Sequence, residues 1–117
     1  MTGLSLPARI FLSTRATDMR KSIDGLSGEV LDYIGHDPAA GGLFVFYNRR
    51  RDKLKMLWWE QDGYCVLYKR LEAGTFQMPL FEGAETGIAL SGDQLHLILA
   101  GIDLESVRRR KRYRVAI

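Results

Sequence analysis

Clustered arginine and lysine residues beside aromatic side chains are the feature of this sequence best suited to chemistry. Seven cations lie in one short segment of the chain: Arg49, Arg50, Arg51, Lys53, Lys55, Lys69 and Arg70. Cationic side chains neutralise nucleic-acid phosphates, and aromatic rings such as those of Trp58 and Trp59 stack on bases. The pattern therefore predicts a nucleic-acid contact. Cations at a turn are also often simply solvated, and both tryptophans could belong to a core. The cluster alone therefore does not show whether the protein binds nucleic acid.

A second and denser group of cations lies near the C-terminus. Residues 108–114 read RRRKRYR and hold six positive charges: Arg108, Arg109, Arg110, Lys111, Arg112 and Arg114. Residues 1–107 carry 11 basic and 14 acidic side chains, so their formal charge is −3 (11 − 14). Such a block repels itself and commonly serves as an interaction arm, and the planar Arg fork suits phosphate. We expect the tail to attract DNA, although a solvated end would have the same composition.

Other chemistries find little support in the sequence. Cys65 and the serines lack a motif that presents a nucleophile, and no GxxxxGK[ST] or GxGxxG phosphate loop is present. Cys65 with His36 and His96 does not make a zinc-ligand set. Scattered carboxylates remain for two-metal phosphoryl transfer, but Asp18 suits a helix cap and Asp62 a turn. We therefore expect no enzymatic activity, no cofactor and no metal.

The size and hydropathy of the chain indicate its organisation. A chain of 117 residues with 46% hydrophobic content fits one domain with one core. We expect residues 1–107 to form a single α+β domain and residues 108–117 to form a basic tail. No apolar run reaches 18 residues and no signal-peptide pattern is present, which predicts a cytoplasmic protein without a membrane segment.

The basic segment Leu43–Leu71 also carries the strongest strand signal. Turn signals at Asn48–Asp52 and Gln61–Gly63 divide it into three apolar runs, which predicts a three-stranded antiparallel meander. The first run is apolar at alternate and intervening positions alike, as expected of a covered central strand. Asp62 and Gly63 are predicted to supply the positive φ angles of a type I′ turn. The third strand would then return towards the three arginines.

Two helices are predicted to accompany this meander, and Arg9–Ser13 could form a short first strand. The first helix would run from Thr17 or Asp18 to Ile34, with Gly35 in a left-handed cap. Its expected apolar stripe comprises Met19, Ile23, Leu26, Val30 and Ile34. Two glycines inside it, Gly25 and Gly28, indicate either close approach of another backbone or a break in the helix.

The second helix is predicted to begin at Ser91. Ser91 and Gln94 have the spacing of a capping box, in which each side chain bonds a backbone N–H near the other residue. Leu95, Ile98, Leu99 and Ile102 would form its apolar stripe. Pro79, Gly83 and Gly87 are typical of a loop that connects the meander to this helix.

Three blocks of the sequence carry a resemblance to a known family. They are TDMRKSIDGL (Thr17–Leu26), HDPAAGGLFVFYNRRRDKLKMLWWEQDGYCVLYKRLEAGTF (His36–Phe76) and LHLILAGID (Leu95–Asp103). Their order and spacing resemble the small accessory protein, often called TnpB, of the IS66 family of bacterial insertion sequences. This chain has Met78 where that family usually has Trp. The family is distinct from the RNA-guided nucleases that share the TnpB label.

The resemblance implies an accessory factor for transposition that is encoded beside a separate and larger transposase. The family has no agreed catalytic residues, so the resemblance assigns none to this chain. Two functions stay open. The protein could bind DNA through its cations, or it could be an interaction module that docks on the transposase or another element-encoded protein. An exposed Trp59 beside Leu57 would suit the second function, because aromatic anchors dominate protein interfaces.

Overall fold

The computed structural model describes residues 7–79 and 81–101, which form an α+β arrangement, as predicted. A five-stranded sheet is accompanied by two α-helices. The strands are β1 (Ile10–Ser13), β2 (Leu43–Tyr47), β3 (Lys53–Glu60), β4 (Gly63–Arg70) and β5 (Gly87–Leu90). The helices are α1 (Ile23–Glu29), which continues as a π-helical turn over Val30–Ile34, and α2 (Gly92–Leu99); a short 3-10 turn covers Pro38–Ala40.

The strand order is β4-β3-β2-β1-β5, and only β1 and β2 are parallel. Strands β2, β3 and β4 pair antiparallel in chain order, inside a sheet that is wider than the predicted meander. The predicted loop through Gly87 is wrong at that position, because Gly87–Leu90 pairs antiparallel with β1. The small side chains of Gly87 and Ala89 give little strand signal. Tertiary pairing decides their conformation.

The sheet carries a buried cluster on each face. The face towards α2, here called the α2 face, includes Leu54, Met56 and Trp58 from β3 and Leu95 and Ile98 from the helix. The opposite α1 face contains six buried residues: Leu26, Val30, Ile34, Phe44, Phe46 and Leu57. All five residues of β2 are buried, which confirms that this strand is central and covered.

The first helix starts later than predicted. Ser22 occupies the position before its first residue, so Thr17 and Asp18 do not cap it. The backbone N–H of Thr17 donates to the Tyr47 carbonyl (2.8 Å), and the Asp18 carboxylate accepts from the backbone N–H of Arg20 (2.9 Å). These bonds give the backbone partners outside a helix. Met19 therefore packs on the α1 face from a loop.

The end of this helical segment follows the prediction. Gly35 adopts the left-handed conformation (φ 86°), and its N–H donates to the Val30 carbonyl (2.8 Å), which closes the π turn. A Cβ at Gly25 would lie 2.9 Å from the Cβ of Lys21, so the close neighbour is a side chain rather than a second backbone. A Cβ at Gly28 would meet no atom within 4 Å beyond the adjacent residues and the backbone of its own helix.

The turn between β3 and β4 is one residue away from its predicted place. Gly63 pairs with Glu60, so the two-residue loop is Gln61–Asp62. The positive φ belongs to Gln61 (53°), and the N–H of Asp62 donates to the Glu60 carbonyl (2.6 Å). The assignment of positive φ to Asp62 and Gly63 is therefore wrong, since the strand register takes Gly63 into the ladder.

The capping box of α2 is confirmed. Ser91 Oγ accepts from the N–H of Gln94 (3.0 Å), and Gln94 Oε1 accepts from the N–H of Ser91 (2.9 Å). Leu95 and Ile98 are buried, while Ile102 lies outside the described residues. Among the helices that the structure describes, none is both long and apolar enough to cross a membrane.

Candidate nucleic-acid interface

The turn between β2 and β3, here called the arginine tip (Asn48–Asp52), is organised by one side chain. Asn48 Oδ1 accepts from the backbone N–H groups of Asp52 (3.1 Å) and Lys53 (3.0 Å), and Asn48 Nδ2 donates to Asp52 Oδ1 (2.6 Å). The hydrogen bond from Asn48 is the main cause of a lowered pKa at Asp52. The tip is thus held closed by bonds that leave its arginine side chains uninvolved.

Two backbone hydrogen bonds from the segment after β4 also stabilise this turn. The N–H of Leu71 donates to the Asp52 carbonyl (2.8 Å), and the N–H of Phe76 donates to the Arg51 carbonyl (2.6 Å). Arg51 itself lies in the left-handed region (φ 60°), which is uncommon for a residue with a Cβ. Arg49, Arg50 and Arg51 are all exposed. The tip therefore presents three cations on a turn in which the carbonyls of Arg51 and Asp52 are bonded to the segment after β4.

The arginine tip forms one wall of an open cleft, here called the basic cleft, with a volume of about 580 Å³. Residues 16–20, the loop ahead of α1, form the other wall. Lys53 and Tyr68 line it from the sheet. The two walls are joined by the bond between Thr17 and the last residue of β2, which places residues distant in sequence at one site.

The charges around the basic cleft are unevenly compensated. Arg20 Nη2 lies 2.7 Å from Asp18 Oδ2. The side-chain hydrogen bond from Arg20 is the largest cause that lowers the pKa of Asp18 to about 2. Arg49, Arg50 and Lys53 have no ion-pair partner within 4 Å among residues 7–79 and 81–101. The cleft therefore keeps an excess of positive charge that an anion can neutralise.

The other predicted contact residues in the sheet are engaged locally. Lys55 Nζ donates to the Lys21 carbonyl (2.8 Å) in the loop ahead of α1. Lys69 Nζ, which lies on the α2 face, donates to the Leu99 carbonyl (2.9 Å) at the end of α2. Arg70 Nε pairs with Glu72 (2.9 Å). The structure thus brings Arg49, Arg50 and Lys53 together and does not bring Lys69 to them.

The six predicted cations of the tail lie outside the described residues. They are Arg108, Arg109, Arg110, Lys111, Arg112 and Arg114.

Three residues of the basic cleft were missed in the sequence: Thr17, Arg20 and Tyr68. The first two were assigned to a helix, although Asp18 followed by Arg20 and Lys21 was a signal of local charge pairing. Thr17 is buried (5% exposed), and its hydroxyl has no hydrogen-bond partner in the part of the chain that the structure describes. Tyr68 gave no signal, since only the strand register places it beside Lys55.

The residues considered for other functions lie elsewhere in the sheet. Leu57 is fully buried on the α1 face, so it cannot act beside Trp59 as an exposed interface anchor. Trp59 is half-buried, with its ring edge-on to Tyr64 at 5.0 Å. Cys65 is a free, partly buried cysteine against the α2-face cluster. No group of three or more His, Cys, Asp and Glu that could hold a metal ion occurs among the described residues.

Comparison with known proteins gives relatives for nearly the whole chain. It is 39% identical to the uncharacterized protein y4hO of Sinorhizobium fredii over 95 residues, which is 81% of each chain. It is 33% identical to the uncharacterized protein y4jC of the same organism over 111 residues, 94% of this chain and 92% of the relative. No solved structure matches with significant similarity. The family described as IS66 Orf2-like protein matches residues 8–109, and the chain therefore belongs to this transposition-associated family.

Proposed function

We propose that this protein is a non-catalytic accessory factor for DNA transposition of an insertion sequence and that it binds the DNA backbone through the arginine tip. One observation carries the proposal: Arg49, Arg50 and Lys53 meet at the basic cleft without ion-pair partners among the described residues. When surface cations of this kind bind phosphates, counterions condensed on the DNA are released. This release is the main source of non-specific affinity for DNA.

The backbone of the tip supports this function. Asn48 bonds the amides of Asp52 and Lys53, and the segment after β4 bonds the carbonyls of Arg51 and Asp52. Because these bonds already hold the turn, little main-chain freedom is lost when the tip binds a ligand. The side chains of Arg49 and Arg50 remain available for bidentate contacts with phosphate oxygens. The geometry favours a preformed electrostatic surface.

The remaining predicted cations divide into two groups. Lys55, Lys69 and Arg70 have local partners, so we assign them smaller contributions to DNA affinity. The tail at 108–117, following a domain at 1–107, would add non-specific attraction. Six phosphate contacts from the tail would give a slope of log affinity against log salt of roughly −5.

The proposal is tested by charge reversal at two exposed arginines in the full chain. Arg49→Glu changes the arginine tip, while Arg9→Glu makes the same charge change ahead of β1, at the end of the sheet away from the tip. Titrations of labelled element-end DNA and a scrambled duplex at several salt concentrations would measure both affinity and salt slope. We expect Arg49→Glu to weaken binding and reduce the slope by about 1, since one phosphate contact is lost.

Equal weakening by Arg49→Glu and Arg9→Glu would contradict a role for the tip and leave only a net-charge effect. Absence of binding by the unchanged protein near physiological salt would contradict DNA binding altogether. That second outcome would favour the alternative function, docking on the transposase. Preference for the element end over the scrambled duplex would show sequence recognition in addition.

A further inference from the structure

Tyr68 is an aromatic residue that the fold does not bury. It is 50% exposed on β4, lines the basic cleft, and is absent from both buried clusters among the described residues. Its strand partner is Lys55, whose Nζ lies 5.2 Å from the centroid of the Tyr68 ring. An exposed ring beside cations is the combination with which proteins hold unstacked bases, because every base has a π-face.

Thr17 is a buried polar residue in the wall of the same cleft. It lines the same cleft, is more than nine-tenths buried, and its Oγ1 has no hydrogen-bond partner in residues 7–79 and 81–101. Buried hydroxyls normally have a hydrogen-bond partner, so an unpaired hydroxyl in a cleft wall requires an explanation. Because Oγ1 has less than 1 Å² of exposed surface, a phosphate oxygen in the cleft could accept this hydrogen bond only after a small movement of the cleft wall.

The size and charge of the cleft restrict the ligand. Its charged lining comprises Arg20, Arg49, Arg50 and Lys53 with Asp18, and Asp18 is already paired with Arg20. A volume near 580 Å³ lies within the range of small-ligand sites, which is about 300–1,000 Å³. A single phosphate would leave most of that volume empty, whereas a nucleotide also supplies a ring for Tyr68.

We propose that the basic cleft holds one unpaired nucleotide of a DNA strand, with its phosphate near Arg49, Arg50 and Lys53 and its base stacked on Tyr68. This inference rests on the proposed DNA-binding function and specifies the form of DNA. In a duplex each base is stacked and paired, so it would have to leave the helix before it could contact Tyr68. A single-stranded segment, such as a frayed or cleaved element end, exposes its bases without that cost.

The test uses the full chain and three labelled DNAs of one length: a single strand, the same backbone with abasic sites throughout, and a blunt duplex. The abasic strand keeps the phosphates and removes the bases. Because stacking one base adds about five- to hundredfold in affinity, we expect the normal strand to bind tighter than the abasic strand by that factor. Fluorescence anisotropy at fixed salt would measure all three.

Variants at and beside Tyr68 locate the effect. Tyr68→Ala and Tyr68→Leu should abolish most of the preference for the normal strand, and Tyr68→Phe should keep it. Tyr68→Leu retains apolar bulk on the strand if Tyr68→Ala fails to fold. Leu67→Ala is the matched control, since Leu67 is 38% exposed on the same strand but lies on the opposite face of the sheet.

Equal binding of normal and abasic strands would overturn the inference, as would equal loss of affinity for all three DNAs in Tyr68→Leu. If duplex binding persists in either case, the proposed function stands without this site. A free nucleoside monophosphate should not displace the strand at the strand's own concentration. If it does, the ligand is a free nucleotide and the inference is wrong.

Discussion

The two faces of the sheet are covered to different extents. The α2 face holds thirteen of the buried residues that the structure describes, including Phe76 and Met78 from the segment after β4. The α1 face holds six, and its helix begins only at Ile23. Residues 16–20 cross the uncovered part of the α1 face as a loop, and the basic cleft lies there. The less completely covered face therefore carries the site.

This difference shows how a small sheet can combine a stable core with an open charged surface. A helix that continued back to Thr17, as the apolar spacing predicts, would place its first turn where the loop wall of the cleft now lies. The hydrogen bonds of Thr17 and Asp18 keep that turn from forming. A local side-chain bond at Asp18 and a long-range backbone bond from Thr17 to Tyr47 together keep this part of the α1 face open.

The largest expected effect comes from opening a cavity on either face. Phe46→Ala on the α1 face and Phe76→Ala on the α2 face remove rings that are 0% and 1% exposed. Each should lower the free energy of unfolding by about 3–5 kcal/mol, measured by urea denaturation, because the surrounding chain collapses only partly into the space. A loss below about 2 kcal/mol for Phe46→Ala alone would show that the α1 face is loosely packed.

A smaller effect is expected from the side chain that organises the arginine tip. Asn48→Ala leaves the amides of Asp52 and Lys53 without their acceptor and should cost about 1–3 kcal/mol in urea denaturation. Faster hydrogen exchange at both amides would locate the change. Gln77→Ala is the matched control, since its amide makes only a 3.5 Å contact with Thr75, and its cost should stay within about 0.5 kcal/mol.

The smallest effect is expected where the α1 helix meets the loop ahead of it. Glu29 is buried, which raises the pKa of its carboxyl, but hydrogen bonds from Arg15 and Lys21 outweigh burial, and the net pKa is lowered. The charged form therefore stabilises the fold at neutral pH. That contribution disappears as pH falls from the ordinary Glu value of 4.5 through the lowered one.

We expect Glu29→Gln to lower stability by up to about 1 kcal/mol at neutral pH, since its partners are 52% and 41% exposed and are screened by solvent. The difference from the unchanged protein should shrink as the solution is acidified. Urea denaturation at neutral pH and well below pH 4.5 would measure it. A difference that grows on acidification would contradict the assignment.

Local patterns in the sequence were sufficient for several elements of the fold. The continuous apolar run after Leu43, the capping box at Ser91 and the glycine cap at Gly35 each depend on neighbouring residues, and each gives the predicted element. Strand β5 and the turn at Gln61–Asp62 were not predictable in the same way. Their conformations follow from pairing with β1 and from the register of β4, which are contacts across the sheet.

The same distinction applies to the candidate site. Consecutive arginines at a turn identified one wall of the basic cleft. The other wall depends on the bond between Thr17 and Tyr47, which joins residues thirty positions apart. Amino-acid composition also does not distinguish a solvated cation from one that donates a hydrogen bond to a backbone carbonyl. Lys53 and Lys69 look alike in sequence, yet only Lys69 is held by the end of α2.

Strand β4 lies at one edge of the sheet that the structure describes, and its last four residues are exposed. An exposed edge presents unpaired backbone groups to which a strand of another molecule can add, and charged side chains on such an edge discourage that growth. Lys69 and Arg70 stand at this position. We expect their charges to disfavour self-association of the protein into extended sheets.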